Sequence, residues 1–316
     1  MRRVTRRTFL VASAGAVVAA CGPSGKTGAQ TTEPATTAAL QPRAPVPTVT
    51  SDGASSATQA PAPSPTPTPV PPPPKGTIER IALEGTNAAT SVIIHHSGLA
   101  GPSAVVLGGV HGNEPGAWVA ADEVATWMPA RGTLVVIPRC NVLAIADFAR
   151  TTDAIGDLNR LYPGNPGSEL LMERMAAVIT GIAAEFKASL LLDMHESWAF
   201  FREYEGRGAA ALGQTITAGV GPLQATFAQD LRDRVNGAMT DREQMLVRDG
   251  TQFSRPPATP TPGQTNRGRS SLAAGGAVAG LTPVLVEMGQ EHQEIERRTE
   301  LHLIVARAAL ELVGVL

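Results

Sequence analysis

Very little in this chain can cross-link. Among 316 residues there are two cysteines, three tryptophans and two tyrosines, and aromatic residues make up 4%. Two cysteines cannot build a disulfide framework, so a folded unit here must be held by its core. Lysine and arginine are balanced by acids, 26 against 28, and form no stripe in the body of the chain, which excludes nucleic acid as a partner. No apolar run approaches the roughly 20 residues of a membrane-spanning helix. There is no Gly-x-Ser-x-Gly elbow, and Cys140 lies beside a strand end with nothing to make it a thiolate, so serine and cysteine hydrolase readings lack support. No internal repeat is visible, and nothing speaks to oligomeric state.

What the chain does have begins at its N-terminus. "MRRVTRRTFL" carries four arginines and no acid, and the small apolar run "VASAGAVVAA" leads to Cys21. A basic segment followed by a short apolar one describes an export signal. Arg6 and Arg7 followed by Thr8, Phe9 and Leu10 look like a twin-arginine signal, and "VAAC" resembles a bacterial lipobox, in which the cysteine is lipidated and becomes the mature N-terminus. The expectation is a signal peptide over residues 1–20, lipidation at Cys21, and anchoring to the bacterial membrane outside the cytoplasm. Residues 21–75 are rich in proline, threonine and serine, with too few large apolar side chains to offset the entropy of ordering. They are expected to form a disordered linker of extended, semi-rigid character. Loss of residues 1–20 removes four arginines and takes the formal net charge from −2 to −6. Residues 76–316 remain, enough for one well-cored domain.

Within that domain short apolar runs alternate with longer amphipathic ones. "ERIAL", "TSVIIHHSG", "SAVVLGGV", "GTLVVIP", "SLLLDMH" and "TPVLVEMG" read as strands. "EPGAWVAADEVATWM" reads as a helix with proline at its first position. "SELLMERMAAVITGIAAEF" reads as a helix capped by Ser168, and "GPLQATFAQDLRDRVNGAM" and the C-terminal segment also read as helices. "RPPATPTPGQTNRGRSS" is a long polar loop. The class is α/β: a single domain with a mostly parallel, mixed, twisted sheet and helices on both faces. In such sheets sites form at the carboxyl edge of the strands, and His111, His195 and Glu287 each follow or end an apolar strand.

The stretch "GGVHGNEPGAW" holds His111 and Glu114 three residues apart among glycines. A catalytic zinc needs three N, O or S ligands and one open position, and this pair can supply two. His95 and His96 are adjacent on a strand and face opposite ways, His302 reads as a helix-face residue, and His292 is a weak candidate. His195, delivered by a buried strand, is the choice for a third ligand.

"HGNE" (His111 to Glu114), "DLNRLYPG" (Asp157 to Gly164), "DMH" (Asp193 to His195) and "VEMG" (Val286 to Gly289), in that order, resemble the zinc carboxypeptidase superfamily. The form of the first two looks closest to its succinylglutamate desuccinylase/aspartoacylase branch, and the resemblance spans roughly residues 104–313. It implies one zinc per chain held by His111, Glu114 and His195. It further implies that Asp157 holds the outer nitrogen of a ligand histidine, that Asn159 and Arg160 grip a substrate carboxylate, and that Glu287 is the general base. Arg150 matches the branch's oxyanion-stabilising arginine, with Arg139 in competition for that role. The resemblance departs at the tyrosine that carboxypeptidases carry shortly before the catalytic glutamate: the two tyrosines here are Tyr162 and Tyr204. Glu196 and Glu291 are the other acids that could do the work of Glu287, which is preferred because it directly ends an apolar strand.

Three activities compete on these grounds. The first is a zinc-dependent hydrolase of amide bonds in carboxylate-bearing substrates, acting as a metallocarboxypeptidase on small peptides, which export favours. The second is a deacylase of N-acyl amino acids. The third is a membrane-tethered zinc-containing binding protein without turnover, against which the presence of a base at Glu287 speaks.

Overall fold

In the computed structural model, residues 73–204, 206–250 and 269–316 are described, all within the compact unit Pro67–Leu316. The expected signal peptide, the Cys21 lipidation site, nearly all of the linker and most of the polar loop at 255–271 lie outside the described residues. Eight strands form one sheet: β1 (Lys75–Ala82), β2 (Thr90–Ser97), β3 (Ser103–Leu107), β4 (Thr133–Ile137), β5 (Leu190–Ser197), β6 (Thr215–Ala218), β7 (Leu246–Arg248) and β8 (Thr282–Gly289). Their spatial order is β1-β2-β4-β3-β5-β8-β6-β7. The central strands β4, β3, β5 and β8 run parallel, β1 and β2 are added antiparallel on one side, and β6 with its parallel partner β7 is added antiparallel on the other. The sheet is thus mixed around a parallel centre, which the unbroken burial of β4 and β5 reflects.

Helices α1 (Pro115–Val124), α2 (Val142–Ala146), α3 (Leu171–Glu185), α4 (Pro222–Asn236), α5 (Ala274–Ala277) and α6 (Ile295–Leu312) connect and cover the strands. Alternate strand residues feed two separate cores. Val106, Val136, Leu192, Met194, Ile216 and Val286 meet the small apolar faces of α1, α4 and α6. Val105, Leu107, Val135, Ile137 and Leu191 meet Met172, Met175 and Ile179 of α3. On this second face α3 packs on residues of β3, β4 and β5, while the short segment Ser271–Ala273 lies against β8. A cavity of about 260 Å³ remains there.

Two local readings change. Ser168 does not cap α3: the cap position is Leu170, and the Ser168 hydroxyl accepts from the Leu170 N–H at 3.1 Å while donating to Glu173. The strand carrying His195 runs two residues further than expected, to Ser197, because it continues to pair with β8, which ends at Gly289 as expected. No helix among the described residues is long and apolar enough to cross a membrane.

Candidate metal centre and active site

The turn from β3 into α1 is shaped by what lies behind it. Gly109 adopts φ +63, and a Cβ on Gly112 would stand 1.9 Å from the Ala144 carbonyl oxygen of α2. Only glycine permits that approach. The turn delivers His111, and Pro115 starts α1 immediately after Glu114. Glu114 does not spend its carboxylate on capping the helix. Its Oε1 lies 2.7 Å from His111 Nδ1 and its Oε2 lies 2.9 Å from His195 Nδ1. The two Nδ1 atoms are themselves 3.1 Å apart, and Glu114 Oε2 also accepts the Glu196 N–H at 3.1 Å. All three residues are buried, and their ligand atoms lie within 4.8 Å of one another. This group could hold a metal ion.

The outward nitrogens of both histidines face carboxylates. His111 Nε2 lies 3.1 Å from Asp157 Oδ1. His195 Nε2 lies 2.9 Å from Asp193 Oδ2, within ion-pair range although not aligned as a hydrogen bond. A carboxylate on Nε2 favours the proton there and leaves the Nδ1 lone pair turned toward the centre. Two imidazole nitrogens and one carboxylate are a donor set that fits zinc.

Electrostatics follow from this packing. Burial works to raise the Glu114 carboxyl, but the charges of His111 and His195 and their hydrogen bonds win and hold it well below the usual range. Asp157 is held low in the same way, against burial, by its hydrogen bond to His111 and by Arg150 and Arg160. Burial works to lower His195, and Asp193 and Glu114 overcome it, raising it well above its ordinary value. A cation arriving on Nδ1 takes the place of that proton. Glu287, paired across from His195 in the β5–β8 register, is pushed up to about 7, chiefly by burial, with the histidines pulling it down and Glu114 pushing it up. A carboxyl poised there can both take and return a proton at neutral pH.

The structure brings Glu287, Arg150, Asn159 and Arg160 to the lining of the one 260 Å³ cavity, which Arg150 and Glu287 connect to Glu114 and His195. Arg150 contacts Asp157 Oδ2 at 3.2 Å and stands 3.9 Å from Glu114. Asn159 is fixed through its Oδ1, which accepts the Ser271 N–H, and its backbone carbonyl accepts from Arg160. Arg139, the competitor of Arg150, is instead held by Asp122 at 2.6 Å and stacked over Trp118. Of the acids set beside Glu287, Glu196 is bound to Arg298 at 2.9 Å and to Gln290 at 3.1 Å, and Glu291 accepts from the Tyr204 hydroxyl at 3.4 Å. Tyr162 is buried. His95 and His96 bind Thr77 and Thr133, well along the sheet from this group.

Three residues beyond those singled out from sequence belong to this neighbourhood. Asp193 was readable from its place two residues before His195, since alternate residues of a strand share a face. His302, read from sequence as a helix-face residue, lies on a buried face of α6, and the charges of Glu114 and His195 reach it. Burial holds its pKa down at about 3, so it is neutral. Arg248 lines the cavity from β7, a three-residue strand that carried no pattern of its own.

Residues 100–199 match the sequence model of the succinylglutamate desuccinylase/aspartoacylase catalytic domain. No curated protein matches the sequence. Among solved structures, the tripeptide-bound cell shape determinant protein Csd4 of Helicobacter pylori superposes with a TM-score of 0.58 at 15% identity, covering 72% of this chain and 56% of that one. The mDAP-bound form of Csd4, described as a D,L-carboxypeptidase, gives 0.55 at 16% identity, covering 68% and 52%. A succinylglutamate desuccinylase from Silicibacter sp. TM1040 gives 0.54 at 17% identity, covering 78% and 70%. The chain therefore spans about half the length of Csd4, and at these identities the likeness is one of fold. By its sequence signature over residues 100–199 and by its fold, the chain resembles the succinylglutamate desuccinylase/aspartoacylase branch of the zinc carboxypeptidase-like proteins.

Proposed function

We propose that this domain is a zinc-dependent hydrolase of amide bonds in carboxylate-bearing substrates, of metallocarboxypeptidase type. The observation that carries the reading is the convergence of His111 Nδ1, Glu114 and His195 Nδ1, with Asp157 and Asp193 behind the histidines, beside a cavity lined by Glu287. When bound by those three residues, zinc supplies a Lewis acid that activates water and polarises an amide carbonyl. Glu287 takes the proton from the attacking water and returns it to the leaving nitrogen, a transfer its place opposite His195 in the β5–β8 register suits. Arg150, at the mouth of the metal-binding group, faces the oxyanion, a role worth on the order of 3 kcal/mol. Arg160, with Asn159, grips the substrate carboxylate through its planar fork.

The substrate we assign is a short peptide. The Csd4 structures hold a tripeptide and mDAP, and the likeness of residues 1–21 to a twin-arginine signal and lipobox supports a domain exported and anchored at Cys21, where peptides are the substrates at hand. Release of an acyl group rather than a C-terminal residue would move the activity to N-acyl amino acids.

Glu287→Ala tests the assignment. Hydrolysis should fall at least a hundredfold, the lower range for removal of a general base, while zinc content and melting temperature are kept. Turnover equal to the wild type would identify another base.

A further inference from the structure

Successive residues of a strand point to opposite faces. Where His195 turns to the metal-binding group, Glu196 turns to α1 and α6. Glu196 is buried, and its Oε1 accepts from Arg298 Nε of α6 at 2.9 Å. Arg298 is buried as well, and its Nη1 donates to the Gln293 carbonyl. A Cβ on Gly116, in the first turn of α1, would stand 2.2 Å from Glu196 Oε1 and 2.8 Å from Arg298 Cβ, so glycine lets the helix that follows Glu114 close on the pair. Apolar side chains of the same volume would often fill such a place at least as stably. The ion pair calls for another account.

That account lies in what else the pair touches. Glu196 Oε2 accepts from Gln290 Nε2 at 3.1 Å, and the same nitrogen donates to the Asn113 carbonyl at 2.8 Å. A carboxamide nitrogen has two N–H donors, and both are spent here. Asn113 lies between His111 and Glu114 in the turn that carries two of the three metal-binding residues. The Glu196 N–H meanwhile donates to Glu114 Oε2 at 3.1 Å. Gln290 directly follows β8, three residues after Glu287, and its backbone N–H donates to the Ser197 carbonyl of β5 at 2.9 Å. One amide thus ties the metal-binding turn to the ends of the two strands that bear His195 and Glu287. The Glu196 carboxylate, fixed by Arg298 from the other side, sets the direction of that amide.

We propose that Gln290 is a positioning residue which, braced by the buried Glu196–Arg298 pair, holds the His111–Glu114 turn against β5 and β8 in the arrangement that binds the metal. The proposal rests on the reading of His111, Glu114 and His195 as zinc ligands and not on hydrolysis, so its test reads the metal.

Gln290→Met keeps the length of the side chain and removes both donors. Gln293→Met is the control for a merely structural loss, since the amide it removes bonds the Gly289 carbonyl at 3.0 Å rather than the turn. In the full chain, zinc affinity measured by competition with a chromophoric chelator should fall about tenfold in Gln290→Met, the lower end for loss of an outer partner. It should stay at the wild-type value in Gln293→Met. The visible absorption of the cobalt-substituted protein should change in the first variant and not in the second. Gln290→Asn, too short to reach Asn113 and Glu196 together, should behave as Gln290→Met does and decides the matter should that variant not fold. Zinc affinity and cobalt absorption unmoved in the Gln290 variants, or moved equally in Gln293→Met, overturn the proposal alone. A wild type that folds but takes up neither metal overturns the metal reading, and the proposal with it.

Discussion

Asp157 and Asp193 do the same thing to two histidines from opposite directions in the chain. One comes from a loop 46 residues after His111, the other from two residues before His195 on the same strand. Each puts a carboxylate at Nε2 and so keeps Nδ1 for the centre. Removal of such an outer partner typically lowers metal affinity ten- to hundredfold. Asp193→Asn keeps the shape of a fully buried side chain while removing its charge. Zinc affinity, measured by competition with a chromophoric chelator, should therefore fall by about that factor in a protein that still melts cooperatively. Unchanged affinity would mean that Asp193 is a packing residue only. At this scale the sequence was readable where a residue type is rare: with few histidines, His195 stood out as the third member of the group. It was less readable where the type is common. Three acids could have served in place of one another, and only the ion pair of Glu196 with Arg298, the contact of Glu291 with Tyr204, and the register of Glu287 opposite His195 separate them.

Among elements, the turn before α1 and the short helix α2 are fitted to each other. The backbone N–H groups of Cys140 and Asn141 donate to the carbonyls of Gly108 and Gly109, and the Gly112 N–H donates to Ala149, so the turn that presents His111 is sewn to the α2 segment on both sides. Gly112→Ala would press a methyl against the Ala144 carbonyl. Overpacking of this kind costs about 1–3 kcal/mol or more, and because the obstacle is backbone, the turn must shift. Differential scanning calorimetry should show a lower melting temperature together with weakened zinc binding. Gly181→Ala is the matched control: it lies in α3 with nothing within 4 Å of the new methyl, and should be neutral or raise stability by up to about 1 kcal/mol. A Gly112→Ala protein as stable as Gly181→Ala would remove the steric account of the turn. The long, strongly patterned elements α1, α3, α4, α6, β4, β5 and β8 were readable from apolar periodicity. α2, β6 and β7 were not, because five-, four- and three-residue segments carry too few positions to show a period, and their conformation is imposed by neighbours. Arg248 was missed for that reason. Ser168 was misplaced by two residues for a related one: a serine near a helix start has several N–H groups within reach, and its hydroxyl settled on Leu170.

Over the whole molecule, one sheet with two separate cores leaves part of one face free of long helices, and the group of His111, Glu114 and His195 stands beside that opening. The α/β class followed from apolar strands alternating with amphipathic helices. That the sheet is mixed was expected, but which strands are added antiparallel was not readable, since strand direction depends on connections through loops whose course the sequence does not announce. Glu287 and Arg248 lie beyond residue 199, where the segment matching the family model ends, and pairing of β8 with β5 and of β7 with β6 brings them to the cavity. The claim on which the account depends is that these parts assemble into a zinc hydrolase. The most direct test is metal analysis and amide hydrolysis on one preparation of the full chain, against short peptides and N-acyl amino acids, before and after chelation. One zinc per chain, with release of a C-terminal residue that chelator stops and zinc restores, is the expected result. A protein that folds, takes up no zinc and hydrolyses none of these amides would contradict it.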